Sequence, residues 1–172
     1  MSEKKQQQQD ASFAITETRL RPGTAADLPA VLSLFVASGL DKAEDVPLAG
    51  ALESWQAMQA LGAELWLAEV AGKDGRVEVL GCLTLYILPL LAHAQAPEAL
   101  VEDVAVHPKA QGLGLGRLLM EQAMAVARAR GCYKLALSSN AKRVDAHAFY
   151  EHLGFARHGF SFVVPLAGGA LQ

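Results

Sequence analysis

The sequence predicts one α/β domain whose strands and helices follow the order βααβββαβαββ. Three observations carry that prediction. An apolar stretch, Ala99 to Val106, runs into a glycine-rich turn and then a long helical pattern, which makes a strand, a tight turn and a helix start. Glu64 to Ala71 and Val77 to Leu88 read as strands, joined by Gly72-Lys73-Asp74-Gly75-Arg76 as a hairpin turn. Thr24-Ala25-Ala26-Asp27 has the form of a capping box, with Asp in place of the usual Glu, and opens an amphipathic helix to about Ser38.

The remaining elements fall between these. Ile15 to Arg21 alternates like a first strand, ended by Pro22-Gly23. The polar, proline-containing segment Asp41 to Pro47 leads to a second helix from about Leu48 to Ala60. Pro89 to Pro97 is a loop before the strand Ala99 to Val106. The third helix spans Gly114 to Arg130, with Gly131 as its C-terminal cap. Tyr133 to Ser138 reads as a strand and Val144 to His152 as a short helix. Gly154 to Leu166 reads as two final strands turning near His158-Gly159.

Global properties bound the function. A chain of 172 residues, 52% hydrophobic, suits a single domain with an ample core. A net charge of −3 and the lack of a basic stripe give no basis for nucleic-acid binding. Cys82 and Cys132 lie far apart in apolar settings without metal-ligand spacing, and read as reduced, buried thiols. The five histidines show no paired ligand pattern, so no metal site is expected. Met1 to Asp10 is polar and glutamine-rich, neither signal peptide nor membrane anchor. The expectation is therefore a cytoplasmic protein with a disordered tail over 1–12, a single domain over 13–172 and no membrane partner.

The glycine turn, His107 to Arg117, is the richest local signal. Three glycines, Gly112, Gly114 and Gly116, alternate over five positions and expose backbone N–H groups at a helix N-terminus, which suits a pyrophosphate. Spacing excludes two common motifs. Counting from Gly112 and Gly114, the third glycine of a dinucleotide fingerprint is replaced by Arg117, and Gly116-Arg117-Leu118 lacks the Lys-Ser/Thr of a triphosphate loop.

What remains is Gln-x-x-Gly-x-Gly at Gln111, Gly114 and Gly116. This resembles the acyl-CoA-binding motif of the GCN5-related N-acetyltransferase (GNAT) superfamily. Downstream, Asn140 follows the fifth strand, and Phe149-Tyr150-Glu151-His152-Leu153-Gly154-Phe155 resembles the family's FYxxxGF signature. The resemblance covers roughly Glu98 to Leu166 by motif and the rest by element order. It implies a mixed, mostly antiparallel sheet splayed between strands 4 and 5 and flanked by helices, with acetyl-CoA as acyl donor. It further implies pyrophosphate contacts from Gln111, Gly112, Leu113, Gly114, Leu115, Gly116 and Arg117. The pantetheine arm meets Asn140, and backbone near a fourth-strand bulge, matched by Val104, Ala105 and Val106, meets the acyl end.

Acetyl transfer to an amine requires a base for the ammonium proton, donors for the carbonyl oxygen and an acid for the leaving thiolate. Glu102 and Asp103 interrupt an apolar strand, where a carboxylate is costly without a partner or a task. Adjacent strand residues face opposite sides, so one of the two is expected to point away from the site. Many family members carry a glutamate at the Glu102 position, which makes Glu102 the candidate base, through a water, with Asp103 the second choice. Tyr150 is the candidate acid, since the family's tyrosine lies near the CoA sulfur. His147, three residues before Tyr150, shares its helix face and either couples to it or caps a contact. Lys142 and Arg143 read as an exposed loop pair.

The acceptor is less legible. Val101 to Val106 and Gly131 to Lys134 resemble glucosamine-6-phosphate N-acetyltransferases, whereas Asn140 to Tyr150 is closer to small-molecule enzymes that include aminoalkylphosphonate acetyltransferases. A small primary amine is the expected acceptor and a protein or peptide amine the alternative. A non-catalytic acyl-CoA sensor on the same fold is the competing class. The apolar run Phe160 to Leu166 is compatible with a homodimer.

Overall fold

The structure, a computed structural model, describes residues 15–42, 47–164 and 166. The expected tail over 1–12 and part of the loop before the second helix lie outside the described residues. The chain divides into two compact units, Met1–Leu137 and Ser138–Gln172.

The first unit is a five-stranded sheet in sequence order: β1 (Ile15–Pro22), β2 (Glu64–Gly72), β3 (Val77–Leu88), β4 (Glu98–Val106) and β5 (Lys134–Leu137). Neighbours are antiparallel except β4 and β5, which are parallel. Helix α1 (Leu28–Ser38) follows a 3-10 turn at Ala25–Asp27, and α2 is Leu48–Ala60. The Thr24 N–H donates to Asp27 Oδ2 at 2.8 Å, as the capping box requires. Arg21 holds the same carboxylate bidentately, at 2.6 and 2.9 Å, and also donates to Glu69 at 2.7 Å, so one guanidinium ties β1, β2 and the entry to α1.

One sheet face packs on α1 through Val31, Leu34, Leu65, Leu67, Cys82 and Ala105, with Phe35 and Trp55 against them. The other face takes α3 (Leu115–Ala129), whose buried side is Leu115, Leu119, Met120, Ala123 and Ala127, the spacing of one helical stripe. Gly81 permits the close approach: a Cβ there would stand 3.1 Å from Leu119 Cδ1 and 3.3 Å from the Ala68 Cβ. Helix α3 ends in a Schellman arrangement, with Cys132 N–H donating to the Ala127 carbonyl and Gly131 at φ +70°.

The second unit contains α4 (Val144–His152) and no strand among its described residues. The two final strands expected over 154–166 are thus not formed there. Phe160 and Phe162 are 91% and 94% exposed and Gly159 has φ +85°. Apolar content alone does not make a strand, because an extended segment needs a ladder for its N–H and C=O groups. The first nine elements follow the expected order.

Candidate active site

Strand β4 organises the first unit's candidate site. Its pairing with β5 covers only Glu98–Val101 against Lys134–Leu137, so β4 continues five residues beyond its parallel neighbour. The parallel β4–β5 pairing that the resemblance implied is present. The His107 N–H donates to Leu80 O on β3. By strand alternation the Ala105 N–H also faces β3, while those of Val104 and Val106 face the side that β5 has left. Of the three predicted contacts, Val104 and Val106 therefore offer donors on the open edge. Ala105 instead buries its side chain beside Cys82.

The predicted bulge lies slightly earlier than Val104–Val106. Cys82 pairs with Ala105 and Thr84 with Glu102, so two steps along β3 match three along β4. The extra residue is taken up at Asp103 and Val104, with Asp103 at φ +53°. For an L-residue that conformation costs about 1–2 kcal/mol, and Asp is among the few side chains that adopt it with any regularity.

The bulge corrects the expectation that Glu102 and Asp103 face opposite sides. Glu102 lies directly opposite Thr84, hence on the same face. The Asp103 carboxylate meets the Thr84 hydroxyl, Oγ1 to Oδ2 at 3.4 Å, and so stands on that face too. Both carboxylates keep solvent-facing surface, yet protein crowds their bases. Burial, and then the charge of Asp103, raise Glu102 above the ordinary carboxylate range. Burial also raises Asp103, opposed by the Thr84 hydrogen bond and aided by Asp41. The same two carboxylates, after burial, push Tyr86 upward.

Thr84, Tyr86 and Asp41 were not among the residues expected at the site. Thr84 and Tyr86 are polar interruptions two apart in the apolar strand Leu80 to Leu88, a signal that was readable. Asp41 comes from the turn after α1, and nothing local connects it to β4. Burial raises the Cys82 thiol to about 12, helped by the Asp103 charge. It is an inert core group under the bulge.

Beyond β4, a 3-10 turn (Pro108–Ala110) leads to the glycine loop. Gly112 and Gly114 have φ +80° and +83°, and Gly114 is the N-cap of α3. A Cβ on either would meet nothing within 4 Å, so the loop faces open space. Leu115, Gly116 and Arg117 form the first turn of α3, whose N–H groups have no preceding turn to bond. Gln111 and Leu113 are exposed beside them, whereas the Leu115 side chain is buried, leaving only its backbone for a ligand. Arg117 lies at this positive helix end, 3.7 Å from Glu121.

In the second unit, Asn140 Oδ1 accepts from the Lys142 N–H at 2.9 Å, and the Asn140 carbonyl accepts from Arg143 N–H. His147 Nε2 lies 3.0 Å from that carbonyl, so His147 ties the loop to α4, the capping role rather than a coupling to Tyr150. Tyr150 is half-buried between Phe149 and Phe155, edge-on to both at 5.2 and 5.9 Å. Burial raises its pKa, and nearby Arg143 opposes the rise.

A parallel ladder that ends partway, a bulge on β4 and a glycine turn heading the next helix are the features that the sequence resemblance implied. The chain matches the Acetyltransferase (GNAT) family over residues 32–155 and belongs to it. It is 36% identical over 80 residues to glucosamine 6-phosphate N-acetyltransferase of Trypanosoma brucei brucei, covering 46% of this chain and 52% of that protein. It is 34% identical over 89 residues to aminoalkylphosphonate N-acetyltransferase of Salmonella typhimurium, covering 52% of this chain and 57% of that protein. The chain thus spans little more than half the length of these relatives. Among solved structures, a Trypanosoma brucei acetyltransferase superposes with a TM-score of 0.73 at 27% identity, over 87% of this chain and all of the other. No described helix is long and apolar enough to cross a membrane.

Proposed function

We propose that this chain transfers the acetyl group of acetyl-CoA to a primary amine of a small-molecule acceptor, by direct attack in a ternary complex. One observation carries the reading: β4 leaves its partner at Val101 and runs, as an open edge, straight into a glycine loop at a helix N-terminus. That supports a site in which amide donors for an extended, amide-bearing arm lie next to donors for a pyrophosphate. The acyltransferase names of the relatives support the same class.

In this reading the pyrophosphate rests on the N–H groups of Gly112 and of Gly114 to Arg117, flanked by Gln111 and by Leu113, whose own N–H donates to the Ala110 carbonyl, with the Arg117 guanidinium adding charge. The arm's amides bond the open edge of β4, and Asn140 contributes a further polar contact. A β4 amide polarises the thioester carbonyl. Glu102 takes the ammonium proton through a water, and the freed amine attacks the carbonyl carbon. The C–N bond forms, the tetrahedral intermediate collapses, the C–S bond breaks and Tyr150 protonates the thiolate, while the second proton shed by the attacking nitrogen returns Tyr150 to its neutral form. A carboxylate raised above its usual range remains a stronger base at neutral pH than an ordinary one.

The test is calorimetric titration of acetyl-CoA, followed by a CoA-release assay over amino sugars, polyamines, amino acids, aminoalkylphosphonates and peptides. Binding with turnover of a small amine is the expected result. Turnover of peptides alone moves the assignment to a protein acetyltransferase. Binding without turnover of any amine makes the chain a sensor, and no binding refutes the reading altogether.

A further inference from the structure

We propose that Asp103 is a positioning residue of the acyl-transfer site, which through its bulge and its bond to Thr84 fixes where the Val104 amide and the Glu102 carboxylate point. The inference rests on the reading of β4 as the acyl-transfer strand. A left-handed bulge position is the natural place for glycine, yet this one carries a carboxylate. A side chain kept where its absence would relieve the backbone is retained for what the side chain does.

Two consequences follow from the geometry. The extra residue reverses the alternation of β4, so Val101 is buried on the α3 side of the sheet while Ala105 packs with Cys82 on the α1 side. Without it, the Val104 and Val106 amides would turn toward β3 rather than the open edge. The bulge also brings the Asp103 carboxylate onto Glu102's face, where Thr84, 1% exposed, anchors it at 3.4 Å. Asp103 on its own strand and Tyr86 on β3 face Glu102, and Asp41 beyond α1 faces Asp103. Asp103 is the nearest in sequence and the one whose placement depends on the bulge.

The roles separate by substitution, in the full chain, with acetyl-CoA and the best acceptor from the amine panel. Asp103→Gly keeps the bulge and removes the carboxylate. It is expected to lower kcat about tenfold, leave the KM for acetyl-CoA within about twofold, and move the ascending limb of the pH–rate profile to lower pH. Asp103→Val disfavours the left-handed conformation and is expected to raise the KM for acetyl-CoA as well, because the open-edge amides turn. Thr84→Val should reproduce part of the Asp103→Gly loss, and Thr84→Ser should rescue it. Should Asp103→Val fail to fold, as judged by its melting curve, the glycine variant and the Thr84 pair decide the matter. An Asp103→Gly enzyme with wild-type kcat and an unmoved pH limb overturns the proposal. A wild-type chain that neither binds acetyl-CoA nor acetylates any amine overturns the functional reading first, and the two failures are thereby told apart.

Discussion

Replacing Gly114 with Ala tests whether the glycine loop is a phosphate cradle or only a helix cap. Gly114 has φ +83° and ψ 1°, and a Cβ there meets no atom within 4 Å, so the substitution carries a backbone cost and no steric clash. The left-handed conformation costs an L-residue about 1–2 kcal/mol. Removing glycine's freedom from the unfolded chain returns about 0.4–1 kcal/mol, leaving a net loss of about 1 kcal/mol. For a chain of this size that is a drop of about 2–4 °C in Tm. The effect on ligand is separate. A methyl group in the open loop displaces a bound pyrophosphate from its amides, and one lost charge-assisted hydrogen bond of about 1.5–3 kcal/mol weakens Kd about 10- to 150-fold. Gly131→Ala is the control, since Gly131 has φ +70°, also lacks neighbours within 4 Å and caps the other end of the same helix. It should lower Tm to a similar degree and leave Kd for acetyl-CoA unchanged. Thermal denaturation and calorimetric titration of both variants supply the readings. If Gly114→Ala and Gly131→Ala lose Tm equally and both retain wild-type Kd, the loop is a cap and the cradle reading is wrong.

Glu102→Gln should lower kcat about a hundredfold and abolish the limb on which rate rises with pH, since the group that must lose a proton is gone. A retained limb would assign the base elsewhere. In Tyr150→Phe, turnover should fall about tenfold or more while acetyl-CoA affinity stays near wild type, as steady-state kinetics beside titration will show. Asp27→Asn should cost about 1–2 kcal/mol in urea unfolding at neutral pH, because Arg21 holds Asp27 well below its ordinary range. A depressed carboxylate stabilises above its unfolded value of 3.8 and loses that contribution as pH falls toward the folded value, so the gap between wild type and variant should close below about pH 4. Amide exchange at Val104 and Val106 should slow on adding acetyl-CoA, whereas Ala105, already directed toward β3, should change little.

What the sequence made legible was whatever depends on local chemistry. The capping box at Thr24–Asp27, the glycine cap at Gly131 and the hairpin over Gly72–Arg76 all use residue types that admit few other conformations, and the strands and helices around them formed within a residue or two of expectation. The glycine loop was legible for the same reason. The bulge was not, because it is a mismatch between strands and neither strand records it alone. Ala99 to Val106 is apolar at both parities apart from Glu102 and Asp103, so no alternation existed whose break would locate it. The left-handed turn at His93–Gln95 was equally silent, since three residues with φ of 54–60° include no glycine to announce them. The unformed final strands fail for the converse reason: Phe160 and Phe162 supply strand-like composition without a ladder.

The division of labour within β4 explains why these two kinds of residue differ in legibility. Its first four residues, Glu98 to Val101, are paired on both edges and do the work of the sheet. From Glu102 onward β4 has no ladder partner on its β5 side among the described residues of its own unit, which withdraws about 0.5–1.5 kcal/mol for each ladder bond not made. A strand selected for stability alone would be matched by a longer β5 and would carry an apolar residue in place of each carboxylate. Here the open edge, two carboxylates on one face and a left-handed aspartate occur together over three residues, immediately before a loop of exposed amides. Each departure weakens the fold slightly, and each presents a polar group to the same stretch of strand. Their coincidence on the half of β4 that no longer pairs with β5, and not on the half that does, fits the proposed use of this segment as a ligand-binding edge.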